Sequence, residues 1–363
     1  MANSLEGYAV VLAGGSGTRF WPKSRIKEPK QLCKIGSAEK TMIELTLDRL
    51  DGFIPPERRI IVTHHLQVQK TREIVGAKAA YFIAEPEAKN TAAALTLAAL
   101  EIEQIAGANN VVMFSFHADH VVDSTTKFQD TLMHAKRLAE VEKLALLGIR
   151  PDSPATGYGY IEKGEPFLEK GTFLAKSFKE KPDLATAKKY QESGNYYWNS
   201  GIFAWRVDLF LHQMTEYLPR TLKTLKDLQS EASSLFSKMP HEVLASAYGS
   251  LQNIAIDHAV LELSDKTAVV EAHFKWQDVG SWNALDQCFG SDELGNLIYG
   301  KAELIDCKGC TIDSDGPLIA AIGLEDMVLV AAKGALLVCP KSRSQEVKKV
   351  VEKLKSTGQA EMV

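Results

Sequence analysis

The chain has 363 residues, five cysteines and a formal net charge of −4, with a pI near 6.2. That length holds one large core plus a smaller unit, and the acid-leaning balance leaves no basic footprint for nucleic acid. No apolar run approaches the roughly 20 residues of a membrane-spanning helix, Met1 to Glu6 lacks the charged-then-apolar pattern of a signal peptide, and scattered cysteines suit a reducing, cytoplasmic setting.

Tyr8 to Leu12 is an apolar run that stops at Gly14, Gly15 and Gly17. It reads as a buried strand feeding a turn whose backbone N–H groups can approach phosphate oxygens. Arg19 and Lys30 add positive charge just beyond. The loop fits neither of two common phosphate signatures. A P-loop would need Gly-Lys-Ser/Thr where Gly17-Thr18-Arg19 stands, and a dinucleotide fingerprint would need a small residue at Phe20. Helical spacing follows over 41–50, a strand over 59–63, a helix over 65–75 and a strand over 81–84. The alanine-rich segment 91–105 is a helix with Asn90 placed to cap it. Further strands at 111–116 and 144–149 flank a helix at 128–140. Strands alternating with helices imply parallel βαβ units, with ligands at the carboxyl edges of the strands.

The polar motifs fall at those edges. Glu85 to Ala94 joins the third strand to its helix, whose first-turn N–H groups are open to a polar ligand or to simple capping. Asp119 follows the fourth strand and faces the glycine loop, as a Mg²⁺ ligand would. His117 and His120 lack a third nitrogen or thiolate nearby in sequence and are left out of the site. Two glycines in 154–160 let backbone approach a ring. Over 178–182 a strand ends, alternation sets Glu180 opposite Lys179 and Lys181, and Pro182 opens a helix. Trp198 to Gly201 reads as an amide in a tight turn. Residues 207–247 are mostly helical, and Asp257 opens another helix. Asp278 lies between Trp276 and Trp282, where a partly dry carboxylate pairs with a cation or caps a turn; Ser281 is placed to cap the helix after it. Beyond Phe289, over 297–340, the texture is all-β. Ser342 and Gln345 form a capping box for a last helix carrying Val347, Val351 and Leu354, which Gly358 ends. This part reads as an assembly surface. Cys307 and Cys310 read as ordinary thiols rather than half a zinc site.

The Gly-Gly-Ser-Gly-Thr-Arg loop with Pro29-Lys30, the 85–94 stretch, Asp119, Glu180-Lys181-Pro182, Trp198 to Gly201 and Asp278 occur in an order that resembles the sugar-nucleotide pyrophosphorylases, in their guanylyl-specific branch. Lys89 stands where that branch has arginine, which keeps the charge without the planar fork. The resemblance implies an α/β fold: a Rossmann-like, mostly parallel, GT-A-like nucleotidyltransferase domain over 1–289, then a small C-terminal β domain with a closing helix over 290–363. It implies transfer of GMP from GTP to mannose 1-phosphate, giving GDP-mannose and pyrophosphate, with Mg²⁺ as cofactor and a homodimer as the assembly. Longer members carry an added isomerase domain, for which this sequence is too short. Arg19, Lys30 and Lys181 are implied as the catalytic cations, Lys181 on the sugar phosphate. Leu12, Ala13, Gly14, Gly15, Gly17 and Thr18 from the loop, with Glu85, Asn90 and Thr91, are implied nucleotide ligands. Gly157, Glu180 and Asn199 fall to the sugar, and Asp119 and Asp278 to the metal. Two other readings stay open: the same chemistry on another nucleotide or sugar 1-phosphate, and a non-catalytic paralogue that senses nucleotide-sugar.

Overall fold

The computed structural model describes residues 5–15, 17–36, 39–109 and 111–363. Ser16 of the glycine loop and the start of the N-terminal stretch lie outside them. The first strands in chain order are β1 (Glu6–Ala13), β2 (Arg59–His64), β3 (Tyr81–Glu85), β4 (Val111–His117), β5 (His120–Val122) and β6 (Leu144–Ile149). They are followed by β7 (Tyr160–Pro166), β8 (Thr172–Lys179), β9 (Tyr196–Arg206), β10 (Thr267–Glu271) and β11 (Trp276–Asp278). Nine of these make one sheet in the order β3-β2-β1-β4-β9-β6-β10-β8-β7.

β1 to β4 pair parallel, as does β10 with β6. Their side chains are buried on both faces, as helix-covered parallel strands require. Tyr8 and Val10 join one apolar layer with the helix Asn90–Ala106. Ala9 and Val11 join the other with Ile43 and Leu47, because successive residues point to opposite faces. Among the described residues no helix is long and apolar enough to cross a membrane.

Several local expectations are corrected. β9 runs antiparallel between β4 and β6, so Trp198 to Gly201 lies inside a strand and not in a tight turn. Gly201, at φ 70°, accompanies a register shift between Leu146 and Gly148. A bulge calls for the same left-handed glycine as a turn, which is why the two look alike in sequence. Pro182 precedes its helix, and Asp183 caps it by accepting from the Thr186 N–H at 2.8 Å. Asn90 takes φ 65° and accepts from its neighbour Thr91 at 2.9 Å, rather than from a residue deeper in the turn. Residues Asp257–Leu261 form a single π turn. Ser281 donates to Asn283 instead of capping, and Gln345 reaches back to Ser281 at 2.8 Å, so no capping box forms at 342–345.

The C-terminal strands are β12 (Leu297–Tyr299), β13 (Ala302–Ile305), β14 (Thr311–Ser314), β15 (Ile319–Ile322), β16 (Met327–Ala332) and β17 (Ala335–Pro340). β12, β14 and β16 stack in parallel, β13 and β15 do the same, and β17 closes antiparallel on β16. The chain therefore coils in rungs, an arrangement that short strands and turns do not betray in sequence. Cys307 and Cys310 are buried in the core of this coil as free thiols. The coil and the helix Val347–Ser356 pack on Phe20, Trp21 and Trp282, and Trp21 Nε1 donates to the Met362 carbonyl at 2.8 Å. So the C-terminal part braces the segment after the glycine loop.

Lys23, from that segment, donates to Asp313 of β14 at 2.6 Å, with side chains 7% and 2% exposed. Burial lifts Asp313 to about 6 even beside the ammonium. Removing one partner of a buried pair costs about 3–5 kcal/mol, while replacing both by apolar groups costs far less. Asp313→Ala should therefore lower the urea midpoint sharply, and adding Lys23→Met should restore most of it. Equal midpoints for the single and double variants would show that the pair does not hold the two parts together.

Candidate active site

The glycine loop leaves β1 at the carboxyl edge of the sheet. Gln31 Nε2 donates to the carbonyls of Ala13 at 2.6 Å and Gly15 at 3.2 Å, and Thr63 donates to Ala13 at 3.0 Å. These bonds hold loop carbonyls from behind. A cavity of about 270 Å³ opens in front, walled by Leu12, Ala13, Gly14, Gly15, Glu85, Lys89, Asn90, Thr91, His117 and Asp119 among others. Gly17 and Thr18 do not line it. Gly17, at φ 57°, instead lets Lys30 pass: a Cβ there would overlap the Lys30 Cβ and backbone nitrogen. Thr18 opens the short turn that carries Arg19 and Phe20.

Glu85 lies deep in this cavity. Burial raises its carboxyl to about 7 although the Tyr248 hydroxyl donates to Oε1. Lys89 Nζ donates to the Gly249 carbonyl at 2.9 Å and sits 3.4 Å from Glu87, the point contacts expected of an ammonium.

Lys30 is buried against Phe20, its Nζ 5.4 Å from the ring centre. Nζ lies 2.9 Å from Asp119 Oδ2 and 3.9 Å from Asp278 Oδ1. Burial raises Asp119, but the Lys30 ammonium, the largest opposing influence, outweighs it and holds that carboxyl below the usual carboxylate range. Asp278 is raised, by burial first and by the Asp119 charge second. Arg19 donates to the Gly280 carbonyl at 3.4 Å, beside Asp278. β11 and β5 pair Asp278 with His120 across two strands, which is how distant segments bring both aspartates together.

Ligand atoms of His117, Asp119 and His120 fall within 4.8 Å of one another. His120 Nδ1 accepts from Trp276 Nε1 at 3.1 Å. A neutral imidazole then carries its proton on Nε2 and has no lone pair left for a metal. Burial and the His117 charge keep that ring neutral by pushing its pKa well below the ordinary value. Asp119 Oδ2 and Asp278 Oδ1 lie 2.9 and 3.9 Å from the one Lys30 ammonium, so their oxygens face a common point at which a divalent cation could be held.

A second cavity, of about 380 Å³, is walled by Gly157, Tyr158, Gly159, Glu180, Lys181, Asn199, Asp257 and Asp278 among others. It shares Asn90, Thr91, His117 and Asp119 with the first. β8 ends at Lys179 and Lys181 takes φ 46°, so its Nζ turns back to Glu180 Oε1 at 2.6 Å. The two therefore share the cavity instead of lying on opposite faces. A Cβ on Gly159 would overlap Glu180 Oε2, whereas one on Gly157 would meet open space. Gly159 is thus the glycine whose bareness the cavity needs. Sequence reading passed over Gln31 and Asp257, counted Gly159 among two glycines open to a ring without assigning it a role, and set His117 aside; the regular strand pattern ending at His117 pointed at the same edge as Asp119.

Two family models match this chain. Residues 8–293 match the nucleotidyl transferase family and residues 300–354 a mannose-phosphate isomerase/GMP-like β-helix domain. A Klebsiella pneumoniae mannose-1-phosphate guanylyltransferase is 35% identical over 97% of this chain and 74% of its own length. The Escherichia coli K12 protein of the same description is 35% identical over 98% and 74%. A solved Thermus thermophilus structure, described as a mannose-1-phosphate geranyltransferase, superposes with a TM-score of 0.86 at 31% identity, over 97% of this chain and all of its own. With matches along nearly its whole length, the chain belongs to the nucleotidyl transferase family, and within it to the mannose-1-phosphate guanylyltransferases.

Proposed function

We propose that this protein transfers GMP from GTP to mannose 1-phosphate, releasing pyrophosphate. The observation that carries the reading is the shared wall of the two cavities, where Asn90, Thr91, His117 and Asp119 meet beside Lys30. A nucleotide in the first cavity and a sugar phosphate in the second would place their phosphates at that wall. A sugar-phosphate oxygen then attacks the α-phosphorus. The new P–O bond forms as the bond to the β-phosphate breaks, and pyrophosphate leaves with the electron pair. Such a transfer needs positioning and charge neutralisation more than covalent chemistry.

Lys30 and Arg19 serve the triphosphate and Lys181 the sugar phosphate. Asp119 and Asp278 would hold Mg²⁺, which when bound neutralises phosphate charge. The loop amides of Gly14 and Gly15 cradle phosphate, and Glu85 accepts from the base. Glu180, with backbone at Gly157, meets sugar hydroxyls. Residues 1–289 act as the transferase domain and 290–363 as the brace and as one face of a homodimer, which light scattering on the purified protein would confirm or refute.

Four nucleoside triphosphates plus ITP, each against several sugar 1-phosphates, provide the test, with pyrophosphate release as readout. GTP with mannose 1-phosphate should give the highest kcat/KM. A charged Glu85 accepts from the guanine N1–H and 2-amino group, so ITP, which lacks that amino group, should be used about tenfold less well. Burial raises Glu85 to about 7, and only the ionised carboxylate offers both oxygens as acceptors to the two guanine donors. The KM for GTP should therefore fall as pH rises from 6 to 8, and Glu85→Gln should flatten that dependence. Equal use of ATP and GTP would refute the guanine assignment.

A further inference from the structure

Asn199 is expected to reach the sugar, but its amide is already engaged at both ends. Its Nδ2 donates to Asp257 Oδ1 at 2.7 Å, and its Oδ1 accepts from the Gly201 N–H at 3.1 Å. Those two bonds fix which way the amide points. Asn199 therefore works as a bracket between the bulge of β9 and the π turn that Asp257 opens.

Asp257 lines the second cavity with Glu180. Glu180 has one oxygen on Lys181, while its other, Oε2, is buried with no hydrogen-bond partner among the described residues. Among these residues Asn199 is the one side chain that donates to Asp257. Burial, then the charge of Glu180, raises the Asp257 carboxyl. The cavity thus presents two acceptor-rich carboxyl groups, one of them with an unpaired buried oxygen. What completes it is a ligand with hydroxyl donors.

We propose that Asp257 is a specificity-determining residue that accepts a hydrogen bond from a sugar hydroxyl beside Glu180, with Asn199 holding it in place. The inference rests on the reading of this cavity as the sugar 1-phosphate site. A site built to bond a hydroxyl discriminates strongly against an analogue lacking it, because its own buried polar groups are then left unpaired.

The test compares mannose 1-phosphate with its 2-, 3-, 4- and 6-deoxy and fluoro analogues, on wild type, Asp257→Asn and Asn199→Ala, by kcat/KM from pyrophosphate release. Wild type should reject the deoxy and fluoro analogues at one position by on the order of a hundredfold, since C–F accepts but does not donate. Asp257→Asn should shrink that discrimination at least tenfold at the same position only. Asn199→Ala should weaken the discrimination at that same position, because Asp257 loses the donor that fixes it. A uniform loss across the series in Asp257→Asn would overturn the assignment and make Asp257 a structural bracket. Should the variants fail to fold, wild-type use of every fluoro analogue as readily as mannose 1-phosphate overturns it without them. Wild type that ignores every deoxy position places the sugar elsewhere, and the site reading falls with the proposal. Calorimetric GTP affinity should stay within twofold of wild type in Asp257→Asn, and a large loss there would assign this cavity to the nucleotide.

Discussion

Lys30→Met leaves a folded protein whose turnover falls by on the order of a hundredfold or more, the scale on which loss of one preorganised cationic donor is felt. Methionine keeps most of the length and the apolar stem beside Phe20, so the segment between the glycine loop and Gln31 keeps its shape. What disappears is the ammonium lying 2.9 Å from Asp119 and 3.9 Å from Asp278. Two carboxyl groups then face one another and the incoming phosphates with no lysine between them. Coulomb repulsion between unit charges about 4 Å apart is about 1 kcal/mol in water and several times that in a drier site. Calorimetry with GTP alone should show weakened binding, and circular dichroism an unchanged fold. Turnover within threefold of wild type would remove Lys30 from the triphosphate and leave it a structural partner of Asp119. Lys181 offers the contrast: it is largely exposed, and its loss should act through mannose 1-phosphate while leaving GTP affinity alone.

Asp119→Asn and Asp278→Asn should each raise the Mg²⁺ concentration needed for half-maximal rate and cut turnover at ordinary Mg²⁺ by on the order of a hundredfold. The double variant should cost little more than the worse single, because groups that act as a unit are not additive. The two singles should differ in character. Asp119 is held ionised by Lys30, whereas Asp278 is raised by burial and by Asp119 itself. Neutralising Asp119 therefore also removes the main partner of Lys30, while neutralising Asp278 relieves a repulsion. Asp278→Asn should keep the fold at least as stable as wild type, and Asp119→Asn should lower its thermal midpoint. Independent, multiplying losses in the double variant would mean the two carboxylates do not share one ion.

Much of the edge that carries the two cavities was legible in the sequence. Parallel strands covered on both faces are near-continuous apolar runs, so β1, β2, β3, β4 and β6 stand out by composition, and the residues at or just past their ends are candidates by position alone. Gly14, Gly15, Glu85 and Asp119 follow from that rule. The antiparallel β9 did not, because its bulge at Gly201 uses the residue that a turn would use, and pairing partners far apart in sequence leave no local mark. Lys181 shared the same difficulty: alternation held only to Lys179, where the strand ends and a left-handed residue reverses the side chain. The coil of β12 to β17 had the composition of any small β unit, since stacking of parallel rungs is a relation between strands. For this reason the bracing of Phe20 and Trp21 by the C-terminal helix, the Lys23–Asp313 pair and the meeting of Asn199 with Asp257 belong to the tertiary structure. Residue chemistry and strand order are written along the chain, while the contacts that orient each cavity-lining group are made between segments that only folding brings within hydrogen-bond reach.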